Sequence, residues 1–167
     1  MRYAAIKYND VVDTEKGICV SFWAQGCLQK CPQCHNPSTW DFKGGIERSV
    51  DEVINEIIKA IKANNITRNF SILGGEPLAP RNINNTTLIA SRVREAYPNI
   101  KIYLWTGYTL QYLVENNMAN EILEKIDVLI DGPFIASQRD ITLPLRGSHN
   151  QNVYKKDSEG KFYKTDI

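Results

Sequence analysis

Strand-like apolar runs alternate with helix-like segments along most of the 167-residue chain, and this alternation is the strongest constraint on its fold. The runs with the length and composition of buried strands are residues 18–24, 69–73, 100–105 and 127–131. The segments with helical periodicity are residues 49–64, 85–97 and 109–125. The pair Asn116-Asn117 is the weak point of the last segment, which is expected to form a helix in one or two pieces.

This alternation predicts the class of fold. Strands that alternate with helices form right-handed βαβ units with a parallel sheet. Four strands are too few to close an eight-stranded barrel. We therefore predict an α/β fold whose mostly parallel sheet forms an open or partial barrel. Residues 1–8 are expected to add an edge strand antiparallel to the others. Ser49, followed three residues later by Glu52, predicts a capping box at the start of the first helix.

Length and composition restrict the class of protein. A chain of 167 residues fits one domain, which we place at residues 1–155, with residues 156–167 as a solvent-exposed C-terminal tail. The formal net charge of +1 disfavours a nucleic-acid binder that relies on phosphate contacts. The mean hydropathy is −0.36, and neither an 18-residue apolar run nor an apolar leader is present. We expect a cytoplasmic protein without a membrane or nucleic-acid partner.

Three of the four cysteines, Cys27, Cys31 and Cys34, fall within eight residues. In a reducing compartment such a cluster indicates metal or redox chemistry rather than a disulfide framework. A zinc site would need a fourth ligand, such as Cys19 or His35. A dithiol would use only Cys31 and Cys34. An iron–sulfur cluster is favoured, because it uses all three thiolates and leaves one iron open to an outside ligand. Cys19 is expected to be a buried thiol of its strand.

Each predicted strand is followed at its carboxyl end by a distinctive loop. The cysteines follow the first strand, and the later loops begin at Gly74, Thr106 and Gly132. Because the carboxyl ends of parallel strands meet at one edge, where such sheets bind ligands, we expect these loops to share a site. Gly74 and Gly75 allow the backbone to approach a ligand closely. Glu76 offers a carboxylate to a cationic or amino-bearing small molecule, and Thr106 offers a further polar contact.

The order of these motifs resembles that of the radical S-adenosylmethionine (SAM) enzymes. The resemblance rests first on the Cys-x3-Cys-x2-Cys spacing and on the Gly-Gly-Glu-Pro sequence at residues 74–77. Longer stretches are similar to the branch of that family whose members activate anaerobic ribonucleoside-triphosphate reductases. Those stretches are residues 24–40, 105–108, 131–134 and 145–151. The likeness covers about residues 3–155.

This resemblance implies a partial barrel of the radical SAM type, a 4Fe-4S cluster, and SAM chelated to the fourth iron. The residues implied to ligate the cluster are Cys27, Cys31 and Cys34. The residues implied to contact SAM are Gln33, Cys34, His35, Gly74, Gly75, Glu76 and Thr106. Reduced flavodoxin or a similar donor would supply one electron, and a 5′-deoxyadenosyl radical would take a hydrogen atom from a glycine of the partner reductase. The cofactors carry this chemistry, so no catalytic acid or base is expected.

Alternative functions are open at this point. The chain could activate another glycyl-radical enzyme or act on a small molecule by the same radical chemistry, or it could be a zinc-stabilised interaction module. The sequence does not reveal a mechanistic role for the polar stretch at residues 146–151, which contains His149. Our hypothesis is a loop that faces the substrate or the partner.

Overall fold

A computed structural model describes residues 1–167 and shows one eight-stranded sheet with helices. The strands are β1 (Arg2–Asp10), β2 (Cys19–Ala24), β3 (Ile46–Glu47), β4 (Asn69–Gly74), β5 (Ile102–Trp105), β6 (Val128–Asp131), β7 (Asn152–Lys156) and β8 (Phe162–Lys164). The helices are α1 (Val50–Ile61), α2 (Ile83–Ala96), α3 (Leu110–Glu115) and α4 (Asn120–Lys125). The strand order across the sheet is β3-β1-β2-β4-β5-β6-β7-β8.

The centre and the margins of this sheet differ in strand direction. The four central strands, β2, β4, β5 and β6, are parallel, as their alternation with helices predicts. The strands β3 and β1 on one side and β7 and β8 on the other pair antiparallel. Four of the seven pairings are therefore antiparallel, so the sheet is mixed and the prediction of a mostly parallel sheet was wrong. The marginal strands are joined without the crossover helix that a parallel pairing requires.

The N-terminal strand behaves as expected in direction but not in position. Strand β1 pairs antiparallel with β2 between Tyr3 and Asp10. The two-residue strand β3 pairs with β1 on the side away from β2 and forms the edge of the sheet. Residues 46–47 are too short a run to produce a strand signal in the sequence.

The helices follow their predicted patterns. The capping box of α1 is confirmed: the backbone N–H of Glu52 donates to Ser49 Oγ at 3.2 Å, and that of Ser49 donates to Glu52 Oε2 at 3.1 Å. The buried stripe of α1 is formed by Val53, Ile54, Ile57, Ala60 and Ile61. The predicted segment 109–125 divides into α3 and α4. Asn117 lies between them with φ of 48°, a left-handed conformation that asparagine adopts more readily than most residues.

The two faces of the sheet have different characters. Phe22, Ile72 and Leu104 share one register across β2, β4 and β5, and they belong to the main core with the helices. The adjacent register on the opposite face places Ser21, Ser71 and Tyr103 side by side. A smaller apolar cluster completes that face: it consists of Tyr103, Val128, Ile130 and Val153. The helices therefore leave one face of the sheet free of helical cover.

The remaining predictions concern single segments. Cys19 is buried at the amino end of β2, as predicted, and burial raises the pKa of its thiol to about 12. Residues 156–167, expected as an exposed tail, include β8, which pairs with β7, although most of these residues are exposed. None of the helices is both long enough and apolar enough to span a membrane.

Candidate functional site

A cavity of about 210 Å³ opens at the carboxyl edge of the parallel strands, where the four predicted loops meet. The predicted site residues that line it are Cys27, Cys31, Cys34, His35, Gly74, Gly75, Glu76 and Thr106. Gln33 does not line the cavity and is exposed to solvent. The structure therefore brings together every predicted site residue except Gln33.

Glu76 is a buried carboxylate surrounded by hydrogen-bond donors. Its Oε1 accepts from Thr106 Oγ1 at 2.8 Å and from the backbone N–H of Leu78 at 3.0 Å. Its Oε2 accepts from the backbone N–H of Gly107 at 2.7 Å and from Gln29 Nε2 at 3.3 Å. Burial raises the pKa of Glu76 to about 6, against the opposing effect of these donors. No cationic side chain pairs with it, so the site suits a ligand that brings its own positive charge.

The two glycines before Glu76 bring strand ends together. A Cβ on Gly74 would lie 2.5 Å from the backbone nitrogen of Ala24, and Gly74 has φ of +112°. A Cβ on Gly75 would lie 2.6 Å from Gly26 O. The backbone N–H of Glu76 donates to the same oxygen at 2.8 Å. The space that glycine provides at these positions is therefore filled by the backbone that leads into the cysteine loop, and this contact fixes Glu76 beside the cysteines.

The cysteine loop, residues 27–34, is tied down at its base and strained along its length. The backbone N–H of Gly26 donates to Thr39 O at 2.7 Å, which closes the loop on itself. Lys30 has φ of 45° and Gln33 has φ of 58°. A left-handed conformation costs a non-glycine residue roughly 1–2 kcal/mol. Such strain is found where surrounding structure or function imposes it.

The three loop thiols fit a cluster better than a single ion. No group of three Cys, His, Asp or Glu side chains lies close enough to hold one metal ion. Zinc ligation, with Zn–S bonds of about 2.3 Å, would require thiols within about 4 Å of one another. Cys19 cannot complete such a site, because it lies at the other end of β2, about 17 Å of strand from Ala24. The donor set fits an iron–sulfur cluster, in which each thiolate binds its own iron.

A contact between the loop after β2 and the loop after β6 closes one side of the cavity. The ring of His35, just after the last cysteine, lies 5.1 Å from the ring of Phe134, centroid to centroid. Phe134 follows β6, which is three strand positions from β2. Three spacings of a flat sheet would be about 14 Å. The loops at the two ends of the parallel set therefore fold towards each other over the cavity.

Several cavity residues escaped the sequence-based prediction. They are Gln29, Gly107, Arg146 and Gln151. Gln29 fills the space above Gly107, where a Cβ would lie 2.1 Å from Gln29 Oε1. Arg146 and Gln151 belong to the polar stretch at residues 146–151, for which the sequence predicts no mechanism. A glutamine between cysteines and a polar stretch before a strand carry no periodic signal, so only their proximity to the recognised motifs could have identified them.

Comparisons with known proteins point to one family. The family model for the 4Fe-4S single cluster domain matches residues 15–154. A relative from Vibrio cholerae is 39% identical over 156 residues, which is 93% of this chain and 98% of the relative. A relative from Escherichia coli K12 is 35% identical over 158 residues, or 92% and 98%. One from Enterobacteria phage T4 is 31% identical over 161 residues, or 92% and 94%. Each is named anaerobic ribonucleoside-triphosphate reductase-activating protein.

Proposed function

The chain belongs to the family of anaerobic ribonucleoside-triphosphate reductase-activating proteins, and from this premise we propose that the cavity at the carboxyl edge of its sheet is the site of activation. The chain is a radical SAM activating enzyme with a 4Fe-4S domain, and its protein partner is the reductase. The observation that carries the placement is the convergence of three thiols and one buried, cation-free carboxylate on a single cavity.

The bound cofactors supply the chemistry and the chain supplies their positions. When bound, the cluster and SAM would supply one-electron reductive cleavage of SAM to methionine and a 5′-deoxyadenosyl radical, and hydrogen transfer from a glycine Cα of the reductase to that radical would leave a glycyl radical. We propose reduced flavodoxin or a similar protein as the electron donor, as the resemblance to the radical SAM activating enzymes implies.

Cys27, Cys31 and Cys34 would hold the cluster. All three line the cavity, and no fourth cysteine is within reach of it. Burial raises the pKa of the Cys27 thiol in the metal-free protein. The positive charge of iron would reverse this effect, because a coordinating thiol is deprotonated. Three ligands leave one iron available to an outside group, as catalytic metal sites require.

Glu76 would bind the amino group of SAM, with Gly74 and Gly75 beside it. The ligand ammonium would supply the cation that the buried carboxylate lacks in the protein. Thr106 and the backbone N–H of Gly107 hold the carboxylate in place. Gln33 and His35 would face the adenosine part, and support is stronger for His35, which lines the cavity.

The cavity walls would protect the radical from solvent. The large apolar side chains on the walls are Trp23, Trp40, Leu73, Trp105, Phe134 and Leu145. A cavity of this kind excludes water and limits side reactions of a bound intermediate. The partner's glycine would enter through the open side of the cavity.

A partial barrel of the radical SAM type is the fold we propose for the central unit. Its support is the set of four adjacent parallel strands, together with the contact between His35 and Phe134 across the cavity. The antiparallel strands at both margins would be additions to this unit.

Anaerobic reconstitution with iron and sulfide tests the proposal. We expect about four irons per chain, 5′-deoxyadenosine after addition of dithionite and SAM, and a glycyl-radical doublet by electron paramagnetic resonance when the reductase is added. One zinc per chain with no iron would instead support the interaction-module alternative. A fully loaded cluster that gives no 5′-deoxyadenosine would contradict the proposal.

A further inference from the structure

Arg146 has hydrogen-bonding capacity that the protein does not use. It lines the cavity, and its Nη1 donates to Gln151 O at 2.9 Å. This is the only hydrogen bond that its guanidinium donates, out of five available N–H groups. Its Nε is buried without a partner. A buried donor without a partner costs about 1–3 kcal/mol, so such groups call for an explanation.

The charge of Arg146 is also unpartnered. No carboxylate lies within salt-bridge distance of it. It is the only lysine or arginine among the residues that line the cavity. The cavity therefore has one negative group, Glu76, and one positive group, Arg146, and the two are not paired with each other.

The backbone around Arg146 is built to hold it in place. Leu145 has φ of 62°, a left-handed conformation that is costly for a leucine. Trp105 Nε1 donates to Leu145 O at 2.6 Å and so fixes the peptide before Arg146. Gln151 Oε1 accepts from the backbone N–H of Gly147 at 2.9 Å, and its Nε2 donates to Gly132 O at 3.0 Å. A strained and clamped backbone beside an unpaired guanidinium is typical of a preorganised binding group.

The position of Arg146 separates it from the expected amino-acid end of SAM. Arg146 lies in the connection before β7, whereas Glu76 follows β4, three strand positions away in the sheet. The amino and carboxylate groups of an amino acid share one carbon atom. A ligand whose ammonium binds Glu76 therefore keeps its carboxylate on the same side of the cavity as Glu76.

The target glycine of the reductase limits the groups that Arg146 could bind. A glycine has no side chain, so the hydrogen bonds that an enzyme makes to the target residue itself must go to its peptide groups. Those groups offer carbonyl oxygens, which can accept hydrogen bonds in pairs from the fork of N–H donors of an arginine.

We propose that Arg146 binds main-chain carbonyl oxygens of the reductase segment that carries the target glycine. This inference rests on the proposed function. It gives the polar stretch at residues 146–151 a role in positioning the protein substrate, with Gln151 as the residue that holds Arg146 in its binding conformation.

The test compares Arg146→Gln with Arg139→Gln in the reconstituted enzyme with SAM bound. Arg139 is an exposed arginine of the same connection between β6 and β7, and its side chain makes no hydrogen bond. The dissociation constant for the purified reductase is measured by biolayer interferometry, and that for SAM by calorimetry. We expect Arg146→Gln to weaken reductase binding at least tenfold, with a much smaller change for SAM, and Arg139→Gln to stay within twofold of the wild type.

Two results would overturn the inference. One is reductase binding by Arg146→Gln equal to that of the wild type. The other is a tenfold loss of SAM affinity with reductase binding retained, which would assign Arg146 to the SAM carboxylate. If Arg146→Gln takes up less iron than the wild type, Arg146→Lys replaces it: we expect full iron with a reduced glycyl-radical signal, and an undiminished signal would contradict the inference. A wild-type enzyme that forms no glycyl radical would count against the proposed function instead.

Discussion

The two ends of β2 place cysteines in opposite environments. Cys19, at the amino end, is fully buried, its thiol lies 3.6 Å from Asp13 O, and burial raises the pKa of the thiol to about 12. Cys27, just beyond the carboxyl end, lies on a strained loop and lines the cavity. The amino acid is the same and the two positions are eight residues apart in the sequence.

The difference shows that position in the sheet, more than residue type, determines what a thiol can do here. At the amino edge, the segment between β1 and β2 packs over the strand, and Ser71 Oγ also donates to Asp13 O at 2.6 Å. At the carboxyl edge, the loops that leave the sheet surround a cavity with space for a ligand. The amino edge therefore contributes to the stability of the fold, and the carboxyl edge is where we propose that the ligands bind.

The largest expected contrast is between Cys34→Ala and Cys19→Ala. Cys34→Ala removes one of the three proposed cluster ligands, so iron content after reconstitution should fall from about four per chain to a small fraction of that. Glycyl-radical formation should fall below detection. Cys19→Ala should retain full iron content, because its thiol faces only protein. Iron analysis of both purified variants is the measurement, and iron loss in Cys19→Ala would show that the two thiols do not differ in this way.

A smaller effect is expected at the carboxylate beside the cluster. Glu76→Gln should weaken SAM binding at least tenfold, because the ligand ammonium loses a buried charge partner. The pKa of Glu76 is about 6, so the wild-type carboxylate is ionised above this pH and protonated below it. Wild-type SAM affinity should therefore fall as the pH is lowered from 7 to 5. Calorimetric titrations should show a flat profile over this range for Glu76→Gln, and the same slope in both proteins would assign the pH dependence to another group.

The smallest effect separates a steric contact from backbone strain. Gly75→Ala would place a Cβ 2.6 Å from Gly26 O, and overpacking of this kind costs about 1–3 kcal/mol. The variant should also take up less iron, because the same contact positions the cysteine loop. Gly160→Ala meets nothing within 4 Å but has φ of +79°, so it should lose stability without losing iron. Urea denaturation and iron analysis measure both, and equal iron loss in the two variants would contradict the steric explanation.

Much of the fold could be predicted because its centre carries a strong periodic signal. The run 69–73 became β4 at Asn69–Gly74, and the run 127–131 became β6 at Val128–Asp131. The marginal strands other than β1 could not be predicted in the same way. Strand β3 has two residues, and β7 and β8 are short polar hairpin strands whose pairing depends on tertiary contacts. For this reason the prediction that most strands of the sheet pair in parallel was wrong.

The candidate site could be predicted from motifs, and the supporting contacts could not. The loops at Cys27, Gly74 and Thr106 carry unusual residues in an order that follows the strands. Gln29 donates to Glu76, whereas the predicted Gln33 is exposed, and both lie in the same loop. Which glutamine turns inward depends on the left-handed backbone of the loop, and no local pattern in the sequence encodes that conformation.

The proposed function depends most on a cluster held by three thiolates with one iron open to SAM. Electron paramagnetic resonance of the dithionite-reduced, reconstituted protein tests this most directly when SAM is titrated into it. We predict a change in the g values of the reduced cluster that saturates at about one SAM per cluster. A spectrum that stays unchanged while calorimetry shows SAM bound would mean that SAM does not reach the iron. That result would contradict the proposed function.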